Sequence, residues 1–304
     1  MNVPIVVVAY NRFSSLRRIL NSLLKADISE APLIISIDKS DTDKVEQYAE
    51  SFNWPYGEKK VIKHNQNLGL RRHILSIGKL FDEYDAIIVL EDDIVVSPAF
   101  YKFATAAADF YQNDENIAGI SLYNYEFNYQ TFQPFNALHS GYDVYFMQIA
   151  MSWGQVWMKK SWLTFWKWYN ENKDFKLSNI DNVYCFKDWG EKSWLKYHIA
   201  YCIDQNKFFV YPYTSYSTNC SDKGAHIKSE LFVFHSSLKW CSAENEFKFP
   251  HFPQGVVYDS YNENTAIYGH LGIDKKDLTL DLADNNKKHT DKRFLLTTKQ
   301  LDYK

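Results

Sequence analysis

Three consecutive carboxylates, Glu91-Asp92-Asp93, follow directly on the apolar run Ile87-Ile88-Val89-Leu90. Carboxylates crowded at the mouth of a buried strand repel one another and resist desolvation unless a cation or hydrogen-bond donors compensate. Hard oxygen ligands of this kind select Mg²⁺ or Mn²⁺, cations that keep several waters and share phosphate oxygens with a substrate. A solvated acidic turn is the plainer alternative, and the buried strand ahead of the triplet weighs against it. Other residues able to do chemistry are Tyr10-Asn11-Arg12, Asp38, the basic group Arg71-Arg72-His73, the pair Trp153-Gly154, the acids Asp188 and Glu191, and His226 in a polar stretch.

The elements that must position these residues alternate. Residues 4–9 are a continuous Val/Ile run, as expected of a parallel strand covered on both faces. Leu16, Ile19, Leu20, Leu23 and Leu24 then form one helical stripe, with Ser14 available as its cap. Leu33–Ile37 predicts a second strand ending at Asp38, with Ser40 and Asp41 as caps for a helix to about Phe52. Residues 61–64 predict a short third strand, Asn67-Leu68-Gly69 a loop, and Arg71-Arg72-His73 a helix running to about Phe81. Residues 86–90 make the fourth strand. This alternation predicts right-handed βαβ units and an α/β fold with a mostly parallel sheet. Such sheets bind ligands beyond the carboxyl ends of their strands. Asn11-Arg12, Asp38 and Glu91-Asp92-Asp93 all stand at those ends, so the three groups converge on one edge.

The second half is less regular. After an apolar stretch at 117–122, residues 123–143 are rich in Tyr, Asn, Phe and Gln without helical period. They read as a long loop, a type that often serves as a lid. Helices are expected over 162–169 and 194–205 and a strand over 208–211, while the chain beyond about Lys239 is polar and lysine-rich. The division expected is a ligand-binding half (1–125), a second half carrying the acceptor side (126–238) and an extension (239–304).

The chain of 304 residues is 46% hydrophobic and carries a net charge of −3, which suits a globular protein and offers no basic field for nucleic acid. Its aromatic share of 17% fits either stacking surfaces for bases and sugars or the codon bias of an AT-rich genome. Cys185, Cys202, Cys220 and Cys241 form no CxxC pair, so a reducing cytoplasm is expected. The opening Met1-Asn2-Val3-Pro4 lacks a charged flank and reads as the approach to a strand, not as a secretion signal. Residues 144–157, the most apolar later stretch, are too short and too interrupted to span a bilayer.

The succession PIVVVAYNR, a strand ending in Asp38, and then IIVLEDDIVVSPAF resembles the GT-A glycosyltransferases. It is most similar to the inverting branch with family 2 and the N-acetylglucosaminyltransferase I type, whose metal motif is written EDD. The resemblance spans roughly residues 3–230 and includes Met151-Ser152-Trp153-Gly154 and Tyr211-Pro212 leading into Thr218-Asn219. It implies a nucleotide-diphosphate sugar donor, Mn²⁺ or Mg²⁺, and transfer with inversion. By position, Asp93 would be the direct metal ligand, Asp92 would lie near the donor ribose or sugar, and Glu91 would support them. Asp38 would accept from the imide N–H of uracil, unless it is a helix cap. Tyr10, Asn11 and Arg12 would lie near the nucleotide, and Arg71, Arg72 and His73 near the diphosphate.

Inversion needs a carboxylate base for the acceptor hydroxyl. The resemblance places it ahead of the 194–205 helix, at Asp188 or Glu191, with Asp188 favoured; either could be an ordinary loop acid. Trp153 would stack on a sugar while Gly154 admits close backbone approach, although Trp153 could equally be core. His226 would reach the metal or diphosphate, unless it is simply solvated. Processive synthases of this fold carry a QxxRW signature and membrane helices, which the sequence lacks, so single-sugar transfer to a glycan or lipid-linked acceptor is expected. The resemblance implies a bacterial setting in surface-polysaccharide or glycolipid assembly, cytoplasmic and peripheral at the inner membrane face. Two rivals are a nucleotidyltransferase that makes the donor and a non-catalytic carbohydrate-binding protein. The first loop, Tyr10-Asn11-Arg12-Phe13, has none of the glycines of the former, and the latter has no use for acids at adjacent strand ends.

Overall fold

A computed structural model describes residues 2–128, 131, 133–172, 186, 189–222, 234–240, 246–284 and 292–300. In chain order the elements are β1 (Ile5–Ala9), α1 (Phe13–Leu23), β2 (Leu33–Ile37), α2 (Lys44–Ser51), β3 (Lys59–Lys63) and α3 (Leu70–Ser76), which tightens into a 3-10 turn at Ile77–Asp82. Then come β4 (Ala86–Glu91), β5 (Ile94–Val96), α4 (Phe100–Tyr111), β6 (Ile117–Ser121), β7 (Val144–Met147), β8 (Gln155–Met158) and α5 (Lys159–Asn172). The remainder is α6 (Leu195–Asp204), β9 (Phe208–Pro212), β10 (Ser217–Asn219), β11 (Val257–Tyr258), α7 (Ala266–Leu271), β12 (Leu278–Asp281) and β13 (Phe294–Thr297).

The central sheet has nine strands in the order β11-β7-β9-β6-β8-β4-β1-β2-β3. The half made of β4, β1, β2 and β3 is parallel throughout, and β6–β9 and β11–β7 are parallel as well; β8 runs antiparallel between β4 and β6, and β7 antiparallel to β9. The mostly parallel α/β architecture expected from the sequence is therefore the one observed. The Val/Ile run of β1 works as a strand buried on both faces. Ile5, Val7 and Ala9 join a core with Leu16, Ile19, Leu20 and Leu23 of α1, whereas Val6 and Val8 face a second core with Ile74, Phe165 and Tyr201.

Much of the aromatic content is structural. Trp157, Tyr111, Tyr123, Tyr145, Tyr201 and Tyr211 are among the largest fully buried side chains. The stretch 123–143 is correspondingly not a free lid along its whole length, because Tyr123, Tyr125 and Phe135 are anchored in the second core. Among the described residues no helix is long and apolar enough to cross a membrane.

Local ends differ from expectation in instructive ways. Ser14 does not cap α1; the cap position is Arg12, which makes no side-chain cap bond because its guanidinium is engaged elsewhere. Ser40 closes a turn on Thr42 instead of capping α2, which begins only at Lys44. The polar tail also contributes structure: β11 adds a strand to the central sheet beside β7, and Phe247, Phe249 and Phe252 pack on the first core.

In that tail, the buried Glu263 carboxylate accepts from Ala283 N–H at 2.8 Å and lies near Asp259 and Asp281. Burial, reinforced by these acids, pushes Glu263 up to about 7 from an ordinary value of 4.5. The folded state therefore binds a proton more tightly than the unfolded state. The stability this proton confers is complete below about 4.5 and is lost as pH rises through about 7. Urea unfolding at pH 5 and pH 8 should show the protein more stable at the lower pH by about 2–3 kcal/mol through this group alone. Glu263→Gln should flatten that difference; an unaltered profile in the variant would assign the pH dependence elsewhere.

Candidate active site

The carboxyl ends of β1, β2 and β4 lie side by side, because β1 pairs with both neighbours in parallel register. Val8 stands opposite Glu91 and Ala9 opposite Ile37. The loop after β1, Asp38 and Glu91-Asp92-Asp93 are thereby brought to one edge, as their spacing predicted. Tyr10 and Asn11 are exposed at the mouth of that edge.

Arg12 turns inward onto the acids. Its Nη2 is hydrogen-bonded to Asp92 Oδ1, its Nε lies 3.4 Å from Asp92 Oδ2, and Nη2 stands 3.3 Å from Asp93 Oδ2. Burial works against the guanidinium's charge, but Asp92 and Asp93 outweigh it and hold the pKa above its ordinary value. Asp92 is pushed up to about 6 by burial, against the pull of Arg12. Glu91 is raised well above the carboxylate range by burial and then by repulsion from Asp93 and Asp92, with a hydrogen bond from the Ser152 side chain opposing. One oxygen, Asp93 Oδ1, is buried with no hydrogen-bond partner among the described residues.

A second layer comes from the far half of the chain. The ribbon of β10 against β5 pairs Asn219 with Ile94, and Cys220 N–H donates to the Asp93 carbonyl at 2.8 Å. Asp222, just beyond, accepts from Ser15 Oγ at 2.6 Å and from Arg18 Nη1 at 3.0 Å, which ties this return to α1. Arg18 and Ser15 outweigh the effect of burial and hold Asp222 below its ordinary value. Glu91, Asp92, Asp93 and Asp222 thus face Arg12 and Arg18, an array whose acids outnumber its bases. Ser152, Arg18 and Asp222 were not singled out from the sequence. Only the position of Ser152 beside Trp153-Gly154 pointed toward the site.

Asp38 is not a helix cap. Its Oδ1 accepts from Lys39 N–H at 3.0 Å and Leu68 N–H at 2.8 Å, and its Oδ2 from Gly69 N–H at 2.9 Å. The carboxylate thereby pins the loop between β3 and α3, where Gly69 has a φ of +74°. A carboxylate has about four acceptor positions, so one remains open on Oδ2. Asp38→Ala should cost about 1–2 kcal/mol by leaving three part-buried amides without their acceptor, measured by urea unfolding; a change below about 0.5 kcal/mol would show that the loop holds without it.

Of the expected cationic group, His73 is a correction. It lies on the buried face of α3, its Nε2 2.8 Å from Ser36 Oγ, and burial pushes it down to about 4, so it is neutral at physiological pH. Arg72 is exposed, and Arg71 reaches across to the second half. Arg71 Nη1 donates to Tyr197 Oη at 2.8 Å and lies 3.4 Å from Glu191 Oε2. Lys196 Nζ is 3.3 Å from Glu191 Oε1, so Glu191, although 83% exposed, is held between two cations. Asp188 and His226 lie outside the described residues.

Trp153 packs its ring against Tyr123 (4.9 Å) and Phe234 (4.7 Å), and Ser217 Oγ donates to its carbonyl at 2.5 Å. Gly154 adopts a φ of +96°, and a Cβ there would stand 2.6 Å from Ser217 Oγ and 3.2 Å from Leu122 Cβ. The glycine is thus required both by conformation and by space. This turn carries Ser152 to Glu91.

Among the described residues no three His, Cys, Asp or Glu side chains gather into a ready metal shell. The step does offer one feature suited to a hard divalent cation, a buried carboxylate oxygen of Asp93 with no hydrogen-bond partner among the described residues. Water and substrate phosphate oxygens would complete the shell.

A family model described as glycosyl transferase family 2 matches residues 5–187. The fold is similar to that of S. aureus TarS 1-349, at 15% identity and a TM-score of 0.45, over 73% of this chain and 61% of that one. The same protein in complex with UDP-GlcNAc aligns at 16% identity and a TM-score of 0.47, over 75% and 61% of the two chains. This chain thus spans about three fifths of the length of those structures. A search of curated protein sequences returns no match.

Proposed function

Since the chain belongs to glycosyl transferase family 2, we propose that it moves a single sugar from a nucleotide-diphosphate donor, a UDP-sugar, to a hydroxyl of a glycan or lipid-linked acceptor, with inversion. The observation that carries this reading is the buried Asp93 Oδ1, without a hydrogen-bond partner among the described residues, on an acidic step at the carboxyl edge of a parallel sheet. Asp93 would hold a Mn²⁺ or Mg²⁺ ion, with Asp92 and Glu91 behind it. When bound, the cation supplies charge neutralisation on the departing diphosphate.

The chain's own groups do the rest. Asp38, with one acceptor position left after three backbone amides, suits the imide N–H of uracil. Arg71 offers guanidinium charge at the head of α3 beside the donor edge. Trp153-Gly154 shapes the sugar side, and the acceptor's oxygen attacks the anomeric carbon as the bond to the diphosphate oxygen breaks. The hydroxyl proton passes to a carboxylate on the acceptor side. Asp188 is the residue proposed for that role, because the family resemblance places an acid beside a tryptophan just ahead of α6; Glu191, 3.4 Å from Arg71 and 3.3 Å from Lys196, is the alternative. The site is proposed to work at the cytoplasmic face of a membrane.

The test is a panel of UDP-, GDP- and dTDP-sugars assayed for Mn²⁺-dependent hydrolysis and transfer. UDP-sugars should be consumed, and indifference to every donor with and without metal would overturn the reading. Asp188→Asn should keep donor binding and lose transfer; unchanged transfer would place the base elsewhere.

A further inference from the structure

Arg12 already stands where a counter-ion would. Among the described residues it is the basic side chain in contact with both Asp92 and Asp93, and its contacts divide the Asp93 carboxylate. Oδ2 lies 3.3 Å from the guanidinium, while Oδ1 is buried and has no hydrogen-bond partner among the described residues. A guanidinium and a divalent cation on one carboxylate repel, so a gain for either is a loss for the other.

We infer that Arg12 is a positioning residue that serves as the resident counter-ion of the acidic step, competes there with the divalent cation, and is drawn off by the donor's diphosphate. The inference rests on the reading of Asp93 as the metal ligand. Two features of the structure suit Arg12 to moving. It occupies the cap position of α1 without making a side-chain cap bond, so releasing the acids costs the helix no cap. Its side chain is a quarter exposed, which gives the guanidinium a path outward to the mouth of the site. A diphosphate is a natural destination, because it accepts the guanidinium fork in bidentate fashion. The consequence is linkage: diphosphate binding frees Asp93 for the cation, so donor and metal bind cooperatively, and metal alone binds weakly.

The test is nucleotide-free Mn²⁺ binding, read by the electron paramagnetic resonance signal of free Mn²⁺, on the full chain. Wild type, Arg12→Gln, Arg12→Lys and Asp93→Asn are compared. A unit positive charge a few ångströms from a divalent ion weakens its binding on the order of tenfold even with water-like screening. Arg12→Gln should therefore bind Mn²⁺ about tenfold more tightly than wild type, while its affinity for UDP without metal falls. A purely structural role for Arg12 would loosen both. Arg12→Lys keeps the charge but not the fork that grips Asp92, so it should tighten Mn²⁺ binding in the same direction by less, and it decides the matter if Arg12→Gln does not fold. Equal or weaker Mn²⁺ binding in the folded variants, with wild type binding through Asp93, overturns the counter-ion role and leaves the metal reading standing. Absence of Mn²⁺ binding in every form overturns both.

Discussion

Asp93→Asn is expected to reduce sugar transfer on the order of a thousandfold, because it removes the charged oxygen on which charge stabilisation of the leaving diphosphate depends. The substitution keeps the side chain's size and leaves the Arg12–Asp92 pair in place. It also relieves repulsion among three adjacent acids, of which Glu91 and Asp92 are already raised by burial. Stability in the absence of ligand should therefore be equal to or slightly above that of wild type. The combination of lost activity with undiminished stability separates a chemical role from a structural one. If transfer and its metal dependence survive in Asp93→Asn, Asp93 is not the ligand, and Asp92 or Asp222 becomes the residue to examine.

Gly154→Ala is expected to cost about 3 kcal/mol, of which roughly half is the left-handed backbone and half the collision with Ser217 and Leu122. At 2.6 Å from Ser217 Oγ the new methyl group cannot be accommodated without movement, and Ser217 is held by β10 and by its bond to the Trp153 carbonyl. Movement of this turn withdraws Ser152 from Glu91, so activity should fall along with stability. The two sources of strain can be separated by a double-mutant cycle. Ser217→Gly in the Gly154→Ala background should recover about half of the lost stability by removing the collision, with the backbone strain remaining. Chemical denaturation of the four proteins measures this. A cost below about 1 kcal/mol for Gly154→Ala would mean that the turn relaxes freely and does not hold the site in shape.

What was legible in the sequence was whatever local periodicity encodes. The Val/Ile runs of β1, β2 and β4 and the leucine stripe of α1 announce strands buried on two faces and a helix packed on one. Strand ends in a parallel sheet then place Arg12, Asp38 and Glu91-Asp92-Asp93 together without further information. His73 shows where reading by type falls short. It was grouped with Arg71 and Arg72 by charge, yet it shares a helical stripe with Leu70, Ile74 and Ile77, and that spacing is the signal that it is buried and neutral. The β5–β10 ribbon, Asp222 and Arg18 were illegible for a different reason. Three-residue strands carry no periodic signal, and their pairing across more than a hundred residues is decided by tertiary packing. The same holds for the two residues of β11, which draw the polar tail into the central sheet.

Asp38 lies between these cases. Its position was foreseen, but the amides of Leu68 and Gly69 that saturate most of its carboxylate come from a loop thirty residues on. It therefore does two things at once: it fixes the loop ahead of α3 and keeps one acceptor position on Oδ2 unfilled by these amides.

The most direct measurement of the central claim is calorimetric titration of UDP into the protein with Mn²⁺ present and with Mn²⁺ removed by a chelator. UDP binding that Mn²⁺ strengthens in wild type, with that gain lost in Asp93→Asn, is the predicted result. UDP binding of equal affinity with and without the metal, and unaffected by Asp93→Asn, would contradict a metal-bridged nucleotide site at Glu91-Asp92-Asp93.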